Sequence, residues 1–157
     1  MKELLLSQLY GYWYFFNQDL VERIQAVTDT PTPAQKAGRV WLPMRDGEPA
    51  ELCPLHLLLP WASQHKEQSD HFLVLRYEGR MLALPMRGEG RACMARIEEI
   101  QALPPAFTGL CRQIIPGLLV NGEEALMQLN LDELVGAMDK VTYLRKKKLL
   151  SRRQPKS

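Results

Sequence analysis

The side chains able to do chemistry in this sequence are few, and their spacing argues against catalysis. His56, His65 and His71 lack the HxxxH or HExxH spacing that would aim two imidazoles at one metal ion. Cys53, Cys93 and Cys111 are odd in number and include no CxxC pair, so they read as reduced, small apolar side chains of a cytoplasmic protein. Glu98-Glu99 and Glu123-Glu124 are adjacent pairs. Neighbours on a strand face opposite ways, so neither pair converges on one substrate. Arg87-Gly88-Glu89-Gly90-Arg91 is glycine-rich, but its central carboxylate makes a poor phosphate cradle, and it reads as a solvated loop between strands. No GxSxG elbow and no P-loop are present. The expectation is a protein with no catalytic residue, no metal site and no cofactor.

The elements that would hold any binding surface come from a chain of 157 residues, 46% hydrophobic and 24% charged, enough for one sizeable core. This composition excludes a disordered tail, a collagen-like fibre and a disulfide-stapled miniprotein. The most apolar early run, Leu4 to Phe16, is broken by Ser7, Gln8 and Gly11 and is too short for a bilayer span. Asn17-Gln18-Asp19 follows it where a signal peptide would carry small cleavage-site residues.

Charge is divided unevenly. All 18 acids lie at or before Asp139, with 12 of the 20 Lys and Arg, while 8 basic residues follow from Lys140 to Lys156. The net charge of +2 is therefore (12 − 18) + 8, a body of −6 joined to a tail of +8.

The sequence also repeats itself in outline. Leu4 to Leu59 can be laid over Phe72 to Val135. Each half opens with an apolar run, a glycine (Gly11 or Gly79) and a second apolar run, the pattern of a strand, a turn and a strand. Val21 to Val27 then matches Ile97 to Leu103 in character, and each runs into prolines, Pro31 and Pro33 or Pro104 and Pro105. Gly38 to Leu42 leads to Asp46-Gly47, and Gly117 to Val120 leads to Asn121-Gly122; Asp-Gly and Asn-Gly are strong hairpin signals. A further strand in each half ends in a leucine-rich segment, Leu55 to Leu59 or Leu131 to Val135. About five short strands per half point to small barrels or a sandwich.

This ordered set resembles the CheW-like domain of bacterial chemotaxis coupling proteins. The second half carries the resemblance through Ile97-Glu98-Glu99-Ile100, Pro104-Pro105, Gly117-Leu118-Leu119, Asn121-Gly122 and Leu129-Asn130-Leu131-Asp132. The first half carries it more loosely through Val21 to Ile24, Pro31 to Pro33, Gly38, Met44-Arg45-Asp46-Gly47 and Leu52-Cys53-Pro54-Leu55. The resemblance implies a mainly β fold of two intertwined five-stranded SH3-like barrels with a hydrophobic groove between them. It covers residues 1–139, with repeats at about 4–60 and 72–136, a linker over 61–71, and residues 140–157 as a basic helix end and tail.

The resemblance further implies a non-catalytic scaffold or adaptor coupling the regulatory domain of a CheA-type histidine kinase to a chemoreceptor tip. Arg45 is the best counterpart of the family's contact arginine, although Pro43 and Asp46 depart from the usual N-L-R-G turn. Arg23 replaces an acid, and Pro54 stands in place of an aspartate. These departures suit an accessory coupling protein, for instance in a pilus-linked chemosensory system. Val21, Ile24, Arg45, Gly47 and Leu55 are the expected partner-binding residues.

Two features admit other readings. The aromatic stripe Tyr10, Tyr12, Trp13, Tyr14, Phe15, Phe16 has the composition of a stacking platform for single-stranded nucleic acid, but it lacks a basic residue and belongs to the acidic body, which favours buried strand core. Asn130 followed by Glu133 is a helix-start pattern, and Leu131, Leu134, Val135, Met138, Val141 and Leu144 fit helical spacing. The helix is expected to end in Arg145-Lys146-Lys147-Lys148, which suits the negative end of its dipole. Contact of this tail with an acidic partner or with anionic lipid is an alternative to plain solvation. A small-barrel nucleic-acid-binding protein using the same tail is the second functional reading.

Overall fold

The computed structural model describes residues 2–9, 11–44, 47–59, 69–103 and 110–153. The first half supplies β1 (Lys2–Leu9), β2 (Tyr12–Asn17), β3 (Val21–Ala26), β4 (Ala34–Lys36), β5 (Arg39–Leu42), β6 (Ala50–Leu52) and the short helix α1 (Leu55–Leu58). The second supplies β7 (His71–Tyr77), β8 (Arg80–Ala95), β9 (Gln101–Ala102), α2 (Leu110–Ile114), β10 (Gly117–Asn121), β11 (Glu124–Gln128) and the terminal helix α3 (Leu131–Arg153).

The halves exchange strands. One pairing path runs β4-β5-β6-β8-β7-β3, joining four strands of the first half to two of the second. The other runs β8-β1-β2-β11-β10-β9, so the first hairpin of the chain lies among strands of the second half. Strand β8 is the shared spine. Its residues Arg80 to Met86 pair with β7, and its residues Arg87 to Ala95 pair with β1. The fold is thus mainly β, intertwined, with a C-terminal helix. Among the described residues the ladders leave both paths open, so hydrogen bonding does not close either barrel.

Side-chain alternation explains the continuous apolar runs, because these strands are buried on both faces. In β1, Leu4 and Leu6 enter a core with Phe15, Leu119 and Leu126, while Leu5 and Leu9 face a larger central core. In β7, Phe72 and Val74 pack with Leu42, Met44 and Ala50, while Leu73 and Leu75 join the central core. In β8, Met81 and Ala83 alternate with Leu82 and Leu84 in the same way. Each path has its own interior, and both press their outer faces together under α1 and α3.

Four local expectations need correction. The segment Arg87 to Arg91 is not a loop but the middle of β8. Gly88 and Gly90 take φ of +73° and +76°, and a Cβ on Gly90 would lie 2.7 Å from the Leu6 carbonyl oxygen. The Gly88 N–H donates to Asp70 Oδ1 at 2.7 Å, so the irregular strand keeps its donors satisfied as it passes between the two paths. The segment at Ile97 is not a strand matching β3: Ile97–Glu99 is a 3-10 turn, and only Gln101–Ala102 pairs, with β10. A Cβ on Gly117 would meet Ile100 Cγ2 and the Gln101 carbonyl oxygen at 2.7 and 2.8 Å, so these segments pack backbone to backbone.

The third correction concerns turns. Leu42 pairs with Ala50, so β5 and β6 are not joined by a two-residue hairpin; Asp46 lies outside the described residues. In the other half Asn121 pairs with Glu124, which puts Gly122 (φ +65°) and Glu123 at the centre, one position later than expected. The fourth is that α3 does not stop at the basic run but continues to Arg153. Its start is as expected: the Glu133 N–H donates to Asn130 Oδ1 at 3.2 Å.

Candidate protein-docking surface

Helix α3 brings the functional candidates together, and its placement depends on a network of charges that the sequence does not advertise. Glu51 on β6 is 4% exposed. Arg39 from β5 and Arg80 from β8 both bind it, Arg80 Nη2 donating to Glu51 Oε2 at 2.7 Å. The same two arginines reach Asp139 on α3, Arg39 Nη2 at 3.1 Å and Arg80 Nη1 at 3.2 Å. Two cations and two carboxylates cancel, and the buried carboxylate has charged donors on both oxygens, as burial of an ion requires. The hydrogen bond from Arg80 holds the Asp139 carboxyl below the usual carboxylate range, against a smaller opposing effect of burial.

A second tie holds the start of the helix. The Tyr77 hydroxyl, at the end of β7, donates to Asp132 Oδ1. That bond, reinforced by partial desolvation and the nearby carboxylate charge, pushes the Tyr77 phenol up to about 12. A third contact is steric: a Cβ on Gly38 would lie 3.1 Å from the Thr142 carbonyl oxygen and 3.2 Å from Lys146 Cγ. With φ of +78° in the β4–β5 turn, position 38 suits glycine on both counts.

So anchored, α3 buries Leu134, Ala137, Met138 and Thr142 and half-buries Leu131, Val135 and Val141. Against α1 and α2 it borders an open groove of about 600 Å³ lined by Leu57, Leu58, Ala137, Val141 and Leu144, with Gln113, Glu133 and Lys140 at its polar edge. Leu57 and Leu144 are 53% and 60% exposed, large apolar side chains in water on facing elements. Gly136 lines the groove too, and nothing lies within 4 Å of where its Cβ would be. An apolar floor with an acid and a base at the rim has the chemistry of a protein-binding surface.

The expected partner-binding residues are not gathered in that groove. Val21 and Ile24 lie on β3, half-buried against the central core, at the end of one pairing path. Gly47 is exposed with φ of +132°, and Arg45 falls outside the described residues. Leu55 is 2% exposed, beneath the groove at the start of α1. Sequence reasoning passed over Leu57 and Gly136. The signal for Leu57 was a leucine run longer than one face of a four-residue helix can bury.

The aromatic stripe is largely core: Tyr14, Phe15 and Phe16 are buried, and Trp13 is capped by Arg91, whose Cζ lies 4.8 Å from the ring centroid. Cys53 is buried, and burial followed by the Glu51 charge pushes its thiol up, which makes it unreactive. Among the described residues no group of His, Cys, Asp and Glu is arranged to hold a metal, and no helix is long and apolar enough to cross a membrane.

No protein-family model matches the chain, and no curated protein sequence matches it either. Among solved structures it is similar to the crystal structure of scaffolding protein TtCheW from Thermoanaerobacter tengcongensis, with a TM-score of 0.65 over 85% of this chain and 86% of that one, at 13% sequence identity. The exchanged strands, the shared spine β8 and the terminal helix therefore amount to a CheW-like fold.

Proposed function

We propose that the protein is a non-catalytic adaptor of a bacterial chemosensory complex, acting in the cytoplasm. Its partners are the regulatory domain of a CheA-type histidine kinase and a chemoreceptor tip or pilus-linked accessory protein. The observation that carries this reading is the likeness of fold to a scaffolding protein across nearly the whole of both chains. The groove between α1, α2 and α3 supplies a surface suited to such work, since exposed leucines there gain by burial at about 25 cal/mol per Å².

Strand β3, with Val21 and Ile24, pairs on one side only among the described residues, and Gly47, two positions after Arg45 in the sequence, is exposed. These are proposed as a second contact, with Leu55 supporting the groove from beneath. An adaptor needs two such surfaces. The test is a pull-down of the full chain with the kinase regulatory domain. Capture that survives high salt supports the reading; no capture at micromolar concentration refutes it.

A further inference from the structure

Further along α3, toward its basic end, lies a second concavity, of about 340 Å³, between the helix and the β4–β5 hairpin. It is lined by Gln35, Lys36, Ala37, Gly38, Arg39, Val40, Arg145 and Lys148, four cations and no acid. Arg39 is committed to Glu51 and Asp139, whereas Lys36, Arg145 and Lys148 form no ion pair with a described residue. Three like charges held around one recess repel one another, and low-dielectric walls concentrate their field. The close approach of Gly38 to Lys146 keeps the basic turn of α3 against the hairpin, so the charges are set in place by the fold.

We propose that this cleft binds an acidic segment of a protein partner, a role separate from that of the apolar groove. The recess favours a peptide on two grounds. Strand β4 is the last of its path, its residues Ala34 to Lys36 are exposed, and it pairs only with β5 among the described residues. Its outer edge offers backbone donors and acceptors that an extended chain can match, beside cations that attract its carboxylates. The lining contains no aromatic side chain on which a nucleotide base could stack. A flat anionic membrane would also meet Asp132 and Glu133 at the other end of the helix and the −6 body.

The test is fluorescence anisotropy of a labelled Glu/Asp-rich peptide of about ten residues titrated with the full chain, which should bind and weaken several-fold between about 50 and 200 mM salt. Lys148→Glu, inside the cleft, should reduce affinity at least about five-fold, whereas Lys147→Glu, with the same charge change one position away, should alter it less than about two-fold. Equal losses in the two variants would overturn the proposal, since they would mean diffuse attraction by the tail. Tighter binding of phosphatidylserine vesicles, or of a single-stranded oligonucleotide of equal charge, would overturn it as well. Kinase capture reads the groove and peptide binding reads the cleft, so either reading can fail alone.

Discussion

Arg39 and Asp139, one hundred positions apart in the chain, meet at 3.1 Å, and this contact joins the terminal helix to strand β5, second from the end of its pairing path. The bond matters because the same guanidinium also holds Glu51, the one charged side chain that is buried among the described residues. Both the groove and the cationic cleft are bounded by α3, so this four-charge network determines the geometry of each.

Removing an arginine from the network should be costly, because it leaves a buried carboxylate short of a partner. Arg80→Ala is expected to destabilise the fold by about 2–4 kcal/mol, measured by chemical denaturation. The pH dependence follows from Asp139, whose carboxyl is held low chiefly by Arg80. A depressed folded-state value contributes stability above the ordinary aspartate value of about 4, and that contribution is lost as pH falls through the depressed value. The denaturation midpoint should therefore decline below about pH 4, and Asp139→Asn should flatten the decline.

Tyr77 gives a spectroscopic handle on the start of α3. Its phenol should ionise near 12, as read by phenolate absorbance, and Asp132→Asn should return it toward about 10. Here the shift is upward, so the stabilisation is present below the ordinary value and disappears as pH rises through about 12. Titration of Tyr77 near the ordinary tyrosine value of about 10 in the parent protein would contradict the contact.

Gly88 and Gly90 separate two reasons for glycine in one strand. Both have positive φ, but only Gly90 has a backbone atom, the Leu6 carbonyl oxygen, in the space of a Cβ. Gly88→Ala should cost about 1–2 kcal/mol from conformation alone, and Gly90→Ala distinctly more, about 3 kcal/mol or above. Equal losses would show that β1 and β8 are not held as closely as described.

Much of the fold was legible in the sequence because its strands are buried on both faces. Leu4 to Leu6, Phe72 to Leu75 and Leu82 to Leu84 are unbroken apolar runs that fit that environment, and Gly11 and Gly79 mark the turns between strands. The spine β8 was hidden by Gly88 and Gly90, which read as loop residues until the neighbouring strand is known to occupy their Cβ positions. The β9 segment failed for a related reason: Ile97 to Leu103 has the same character as Val21 to Val27, but its contact with Gly117 shortens the strand. The site was less legible still. Nothing local links Arg39, Glu51, Arg80 and Asp139, which meet only after the halves have exchanged strands. A groove between Leu57 and Leu144 likewise depends on where α3 is pinned.

The central claim is that the groove beside α3 holds the chemosensory partner, and isothermal titration with the regulatory domain of a CheA-type kinase tests it most directly. The account predicts saturable binding with a Kd below about 100 µM. Gly136→Trp, which fills the groove from a position with open space around it, should weaken binding at least about ten-fold, as should Leu144→Glu, with the denaturation midpoint unchanged in both. Absence of binding by the parent protein at about 100 µM, or parent-like affinity in both variants, would contradict it.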